Sequence, residues 1–251
     1  MSCRIEGINK NLATISNDRN FLLEKGREKT PSVRKVRDTH SYAPIVGIGG
    51  LGKTTLAQSV FNDEQVQKHF ELKIWVCVSD NFDLELIVKS IIESAKGETS
   101  VGNIGMEPLR KKLGEVLGGK RYFLVLDDMW EDNRNKLLEL KTLITSGENV
   151  GSGVVVTTRS EKSAKFIASK QQSYQLRILD EDQSWSLFRK VAFEDGSQEL
   201  ENNTSIVKIG KEIVERCKGI PLAIKTIGNL LYGKSKESEW SSFNKEFSKI
   251  S

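Results

Sequence analysis

The stretch "IVGIGGLGKTTLAQSV", residues 45–60, decides how the rest of the chain is read. Ile45 and Val46 run into four glycines, Gly47, Gly49, Gly50 and Gly52, and then into Lys53, Thr54 and Thr55. Apolar residues resume at Leu56, Val60 and Phe61, a helical spacing. Residues 47–54 therefore fit G-x-x-x-x-G-K-[ST], with an apolar strand before the pattern and a helix after it. Glycines let consecutive backbone N–H groups converge on one anion, in conformations a side chain would forbid. The following helix adds the positive end of its dipole. Lys53 can reach β- and γ-phosphates as a point charge, and the Thr54 hydroxyl can ligate Mg²⁺. The loop is read as the seat of a nucleoside phosphate.

Outward from the loop, apolar strands alternate with helical periods. Strands are expected at 44–47, at "LKIWVCV" (72–78), "RYFLVLD" (121–127), "GVVVTTR" (153–159) and "YQLRI" (174–178). "LELIVKSIIESAK", "LRKKLGEVL" and "NKLLELKTLI" lie between them with helical spacing. "YFLVL" and "GVVV" are apolar throughout, so both faces of the sheet are covered. Strand–helix alternation then implies a parallel sheet flanked by helices, an α/β fold. After residue 178 the strands stop. Asp180 and Gln183 form a capping-box pattern opening "SWSLFRKVAF", and helical periods follow at 204–217, 221–232 and 238–250. The expected organisation is an amphipathic helix at 1–25, a linker at 26–43, an α/β domain at 44–178 and a small helical domain at 179–251.

Two further segments end buried strands on the edge where open parallel sheets bind ligands. "YFLVLDD" places Asp127 and Asp128 there. Asp127 is the candidate metal-side carboxylate, against the plainer reading that a strand must end in something polar. Asp128 is either a base that orients attacking water or a structural acceptor. Arg159, closing "VVVTTR", either senses a γ-phosphate or forms a salt bridge with a nearby acid. No Cys/His or Ser/His/Asp grouping suggests covalent catalysis.

The composition is that of a globular protein, with 29% charged and 37% hydrophobic residues in 251. No apolar run approaches the ~20 residues of a membrane span, and the start has no signal-peptide core. Cys3, Cys77 and Cys217 are far apart and outside any C-x-x-C, which fits a reducing, cytoplasmic compartment and argues against zinc. Residues 1–43 hold nine Lys/Arg against five Asp/Glu, so they carry the whole net charge of +4. Such an arm could touch nucleic acid or an acidic membrane. Without interleaved aromatic residues it reads as a solvated helix and linker, with no specific nucleic-acid partner.

The phosphate loop, "LVLDD", "TTR" and "GIPLA" (219–223), in that order, resemble the NB-ARC region of plant intracellular disease-resistance proteins. These are nucleotide-binding, leucine-rich-repeat immune receptors of the STAND class of P-loop ATPases. The resemblance covers about residues 44–245. Trp130, closing "LDDMW", is similar to the coiled-coil-bearing subclass, and residues 4–26 look like the last helix of that coiled-coil domain. The resemblance implies a five-stranded parallel sheet followed by a helical ARC domain. It also implies an ADP-bound resting state, an ATP-bound signalling state and slow hydrolysis that resets the switch. Gly47, Gly49, Gly50, Gly52, Lys53, Thr54 and Thr55 would hold adenine nucleotide and Mg²⁺, with Asp127 serving the metal. Asp128 would be the catalytic acid, Arg159 the γ-phosphate sensor, and Pro221 a flat contact for adenine.

The chain departs from the family pattern ahead of the loop. "VRDTHSY" runs directly into "APIVGIGG", where the family has a longer segment with a Val-Gly motif that helps bind adenine. Winged-helix and leucine-rich-repeat segments are also missing, so the chain is expected to be a fragment or a truncated product whose intramolecular or host-protein partners act through those domains. The expected function is an ADP/ATP switch module. The alternatives are a P-loop ATPase or kinase acting on a separate substrate, and a fragment that no longer binds nucleotide.

Overall fold

In a computed structural model of the chain, the described residues are 40–78, 82–97, 102, 104–145, 151–168, 173–193 and 203–249. The expected N-terminal helix at 1–25 and the linker up to residue 39 lie outside them. The described chain divides into two compact units, one of residues 40–47 and 53–176, the other of 48–52 and 177–249.

The first unit is built on five parallel strands, β1 (His40–Val46), β2 (Leu72–Cys77), β3 (Tyr122–Asp127), β4 (Ser152–Thr158) and β5 (Tyr174–Gln175). Their spatial order is β2-β3-β4-β1-β5. Every residue of β3 and β4 is buried, as the unbroken apolar runs require of strands covered on both faces. Parity divides the two cores. Tyr122, Leu124 and Leu126 join Val154, Val156, Ile74 and Val76 beneath α3 (Leu84–Lys96), α4 (Met106–Leu117) and α5 (Arg134–Thr145). Phe123 and Val125 join Ile45 and Val155 against α1 (Lys53–Phe61) and α2 (Glu64–His69). The remaining helix of this unit, α6 (Glu161–Ala168), follows β4.

Two strand boundaries differ from expectation. β1 begins at His40 rather than residue 44, so 40–43 belong to the sheet and not to the linker. β4 offers a backbone edge reaching back to Ser152, and residues 40–43 pair with Ser152–Val155 along it, with Ser41 and Tyr42 buried. β5 ends at Gln175 rather than 178 because β1, its partner among the described residues, ends at Val46. The helix after the loop ends at Phe61 and a second begins at Glu64. Asp63 separates them, its carboxylate accepting the Gln65 and Val66 amides as the cap of α2.

The second unit holds four described helices, α7 (Glu181–Ala192), α8 (Thr204–Arg216), α9 (Pro221–Leu231) and α10 (Glu237–Phe247). The Asp180–Gln183 capping box forms as expected, with the Gln183 amide 2.8 Å from Asp180 Oδ1. Trp240 is fully buried at the centre, stacked on Phe193 with 5.6 Å between ring centroids and crossing Phe188 edge-on. Its indole N–H donates to the Lys234 carbonyl, so the large ring is buried without leaving a polar atom unsatisfied. Among the described residues no helix is long and apolar enough to cross a membrane.

Candidate functional site

Strand parity builds the site. Asp127 has the parity of Phe123 and Val125, so it shares the sheet face on which α1 lies. Extending the β3–β4 register by one step from Leu126↔Val156 sets Thr157 beside it. Cys77 pairs with Asp127 from the other side. The sheet therefore ends in a row of Cys77, Asp127 and Thr157, facing the first turn of α1.

Thr54 meets that row. Its hydroxyl donates to Asp127 Oδ1 at 2.9 Å, and the Thr157 hydroxyl donates to the same oxygen at 2.6 Å. Thr157 in turn accepts the Asp128 amide at 2.8 Å, while its carbonyl accepts the Met129 amide. Asp127 and Thr157 are buried, whereas Thr54 and Thr55 are exposed at the helix start. Asp128 is half-buried and left-handed, with φ +57°, a conformation aspartate tolerates better than most side chains. The pairing of a threonine hydroxyl with one carboxylate suits Mg²⁺, which takes oxygen ligands and usually completes its shell with phosphate and water. Among the described residues, no group of three or more His, Cys, Asp or Glu could cage a metal unaided.

Lys53 is only 7% exposed, and its ammonium donates to the Gly47 carbonyl at 2.9 Å. Burial holds its pKa below the usual lysine value and the nearby Arg159 charge pushes the same way, while Asp128 and Asp127 pull it back up. Cys77 is exposed, yet partial burial of its thiol, then the Asp127 and Asp128 charges, hold its pKa above the usual thiol value.

Arg159 follows Thr158 at the end of β4. No ion pair of Arg159 is seen among the described residues. Among the described residues its partner is the Trp130 ring, whose centroid lies 4.1 Å from the guanidinium carbon. Gly47 is tied to the same strand end, its amide donating to the Thr158 carbonyl.

In the second unit, the loop residues Ile48–Gly52 lie with the start of α9. Gly50 and Gly52 are left-handed, at φ +79° and +92°, while Gly47 and Gly49 are not. Gly50 is required twice over. Besides its φ, a Cβ there would come within 3.0 Å of Ile220 Cγ2 and of Leu222 Cβ. The Gly50 carbonyl accepts the Leu222 amide at 3.1 Å, and Pro221 is the first residue of α9.

Sequence reasoning passed over Thr157, because its place beside Asp127 is set by the β3–β4 register. It also read Trp130 as a subclass mark only. The contacts of Ile220 and Leu222 with Gly50 left no sequence signal beyond the "GIPLA" motif itself.

Comparison with known proteins agrees with this geometry. The family model of the NB-ARC domain matches residues 33–198. The chain is 47% identical over 200 residues to disease resistance protein RGA2 of Solanum bulbocastanum, covering 80% of this chain and 20% of that protein. It is 42% identical over 193 residues to disease resistance RPP13-like protein 4 of Arabidopsis thaliana, covering 76% and 22%. The chain thus spans about a fifth of the length of these relatives. Among solved structures, the ORC2 protein of Aeropyrum pernix in ADPNP–ADP complexes matches with a TM-score of 0.55 at 13% identity, over 94% of this chain and 68% of that one. Drosophila ORC bound to DNA matches with a TM-score of 0.53, also at 13% identity, over 91% and 65%. At such identity the likeness is one of fold alone. By the matched domain and by its relatives, the chain belongs to the NB-ARC family of plant disease-resistance proteins.

Proposed function

We propose that the chain is the nucleotide-dependent switch module of a plant immune receptor, holding ADP in a resting state and ATP with Mg²⁺ in a signalling state. The single observation that carries this is the Thr54–Asp127–Thr157 hydrogen-bond chain beside the buried ammonium of Lys53. Lys53 would give up its Gly47 carbonyl contact for phosphate oxygens. Thr54 and Asp127 would hold the metal, whose charge offsets that of the β- and γ-phosphates. The amides of the Gly47–Gly52 loop and Thr55 would complete the cradle, with Gly50 and Gly52 supplying the left-handed turns. Pro221, the first residue of α9, would be the adenine contact, as the family motif implies. Asp128 would order the attacking water, in a site built for slow resetting. A reducing cytoplasmic setting fits the free thiols Cys77 and Cys217.

Calorimetric titration with ADP and with ATP, each with and without Mg²⁺, tests the reading. Binding in the micromolar range is expected, weakened at least about tenfold by Lys53→Arg, whose fork cannot replace a point charge in a cradle shaped for ammonium. Absence of binding, unchanged by the substitution, would sink it. Steady phosphate release on the order of one turnover per minute or slower separates a switch from an enzyme working on a second substrate.

A further inference from the structure

We propose that Trp130 is a positioning residue for Arg159, its indole face holding the guanidinium where that group meets the terminal phosphate of a bound nucleoside triphosphate. The inference rests on the nucleotide reading above and adds a determinant of triphosphate over diphosphate recognition.

The placement of the guanidinium over the indole ring is the first reason. With 4.1 Å between guanidinium carbon and ring centroid, Trp130 engages Arg159 through its face. A ring face carries no carboxylate oxygen to accept the guanidinium's N–H donors, so the contact holds the group while leaving its ion-pairing capacity for phosphate. A carboxylate in the same place would consume those donors and neutralise the charge. The indole does neither.

The second reason is electrostatic. Lys53 donates to the Gly47 carbonyl and the Gly47 amide donates to the carbonyl of Thr158, the residue before Arg159, so two like charges are gathered at one strand end. That arrangement is unfavourable by itself and becomes favourable around a polyanion. An aromatic face offers the guanidinium an attraction that keeps it within reach of Lys53 in spite of the repulsion.

The third reason is a clasp behind both residues. Trp130 is followed by Glu131 and Asp132, and Arg159 by Ser160. Ser160 Oγ donates to Asp132 Oδ1 at 2.5 Å, and Ser163 Oγ donates to the Glu131 carbonyl at 2.7 Å and also to Asp132. The Ser160 and Ser163 hydroxyls hold the Asp132 carboxyl below its ordinary range. The turns after β3 and β4 are thereby fixed to each other, and the pair sits just ahead of the join.

The test uses the full chain and two ligands with Mg²⁺, ADP and a non-hydrolysable ATP analogue, titrated calorimetrically against wild type, Trp130→Ala, Trp130→Phe and Arg159→Ala. Trp130→Ala is expected to weaken the triphosphate analogue about three- to tenfold while leaving ADP within about twofold. Trp130→Phe should recover most of the loss, since a ring face remains. Adding Trp130→Ala to Arg159→Ala should cost nothing further, because the two act as one unit. Equal losses for both nucleotides, no loss for either, or a Phe variant as weak as the Ala variant overturns the proposal. If wild type binds ADP, those outcomes leave the switch reading standing. If wild type binds neither ligand, the switch reading falls and this proposal with it.

Discussion

Thr157 donates its hydroxyl to Asp127 at 2.6 Å and accepts the amide of Asp128 with the same oxygen, so one buried side chain sets both carboxylate-bearing residues at the end of β3. Thr157→Val keeps the shape and removes both bonds. The Asp128 amide would lose its acceptor and Asp127 one of its two donors. A stability loss of ~1–3 kcal/mol is expected, read from urea unfolding. Nucleotide affinity should fall more with Mg²⁺ present than without it, because the metal-side carboxylate loses its orientation. An equal loss of affinity in the two conditions would show that Thr157 does not act through Asp127.

Lys53 makes a pH prediction whose sign follows from its surroundings. Burial and the Arg159 charge bring its pKa below the usual lysine value of 10.5. A polyanion binds the protonated amine, so affinity should be level near neutrality and fall as pH rises through the lowered pKa. In that range, binding should be accompanied by proton uptake. Lys53→Arg cannot titrate there and should give a weaker but flat profile. Calorimetry in buffers of differing ionisation enthalpy measures the uptake directly.

Gly219 and Gly97 separate two costs of adding a side chain. Both have φ +68°, but a Cβ on Gly97 meets nothing within 4 Å, whereas one on Gly219 would fall 2.3 Å from the Leu179 carbonyl oxygen. Gly97→Ala should cost only the left-handed strain, ~1 kcal/mol. Gly219→Ala should cost at least ~3 kcal/mol, since it also breaks the hydrogen bond from the Leu179 amide to the Gly219 carbonyl and crowds the start of α9. Thermal and denaturant unfolding of the two variants provides the comparison.

Much of this was legible because burial on both faces writes itself into the sequence. "YFLVLD" and "GVVVTT" could only be central strands, and the motif at 47–54 could only join a strand to a helix. The polar look of "HSYA" concealed the first half of β1, which forms because the neighbouring β4 supplies a complete edge for it. A two-residue β5 was equally hidden, since its length depends on where β1 stops. The side chains of the site divide in the same way. Lys53, Thr54 and Asp127 follow from a local pattern. Thr157 and the Trp130–Arg159 contact depend on which residues the register brings side by side, and no single stretch of sequence contains that.

The most direct measurement is the nucleotide carried by freshly purified protein, released by denaturation and identified by chromatography, for wild type and for Lys53→Ala. Near-stoichiometric ADP or ATP from wild type, with little or none from the variant, is the expected result. An empty wild-type protein that also takes up no adenine nucleotide at millimolar concentration would contradict nucleotide binding at this loop.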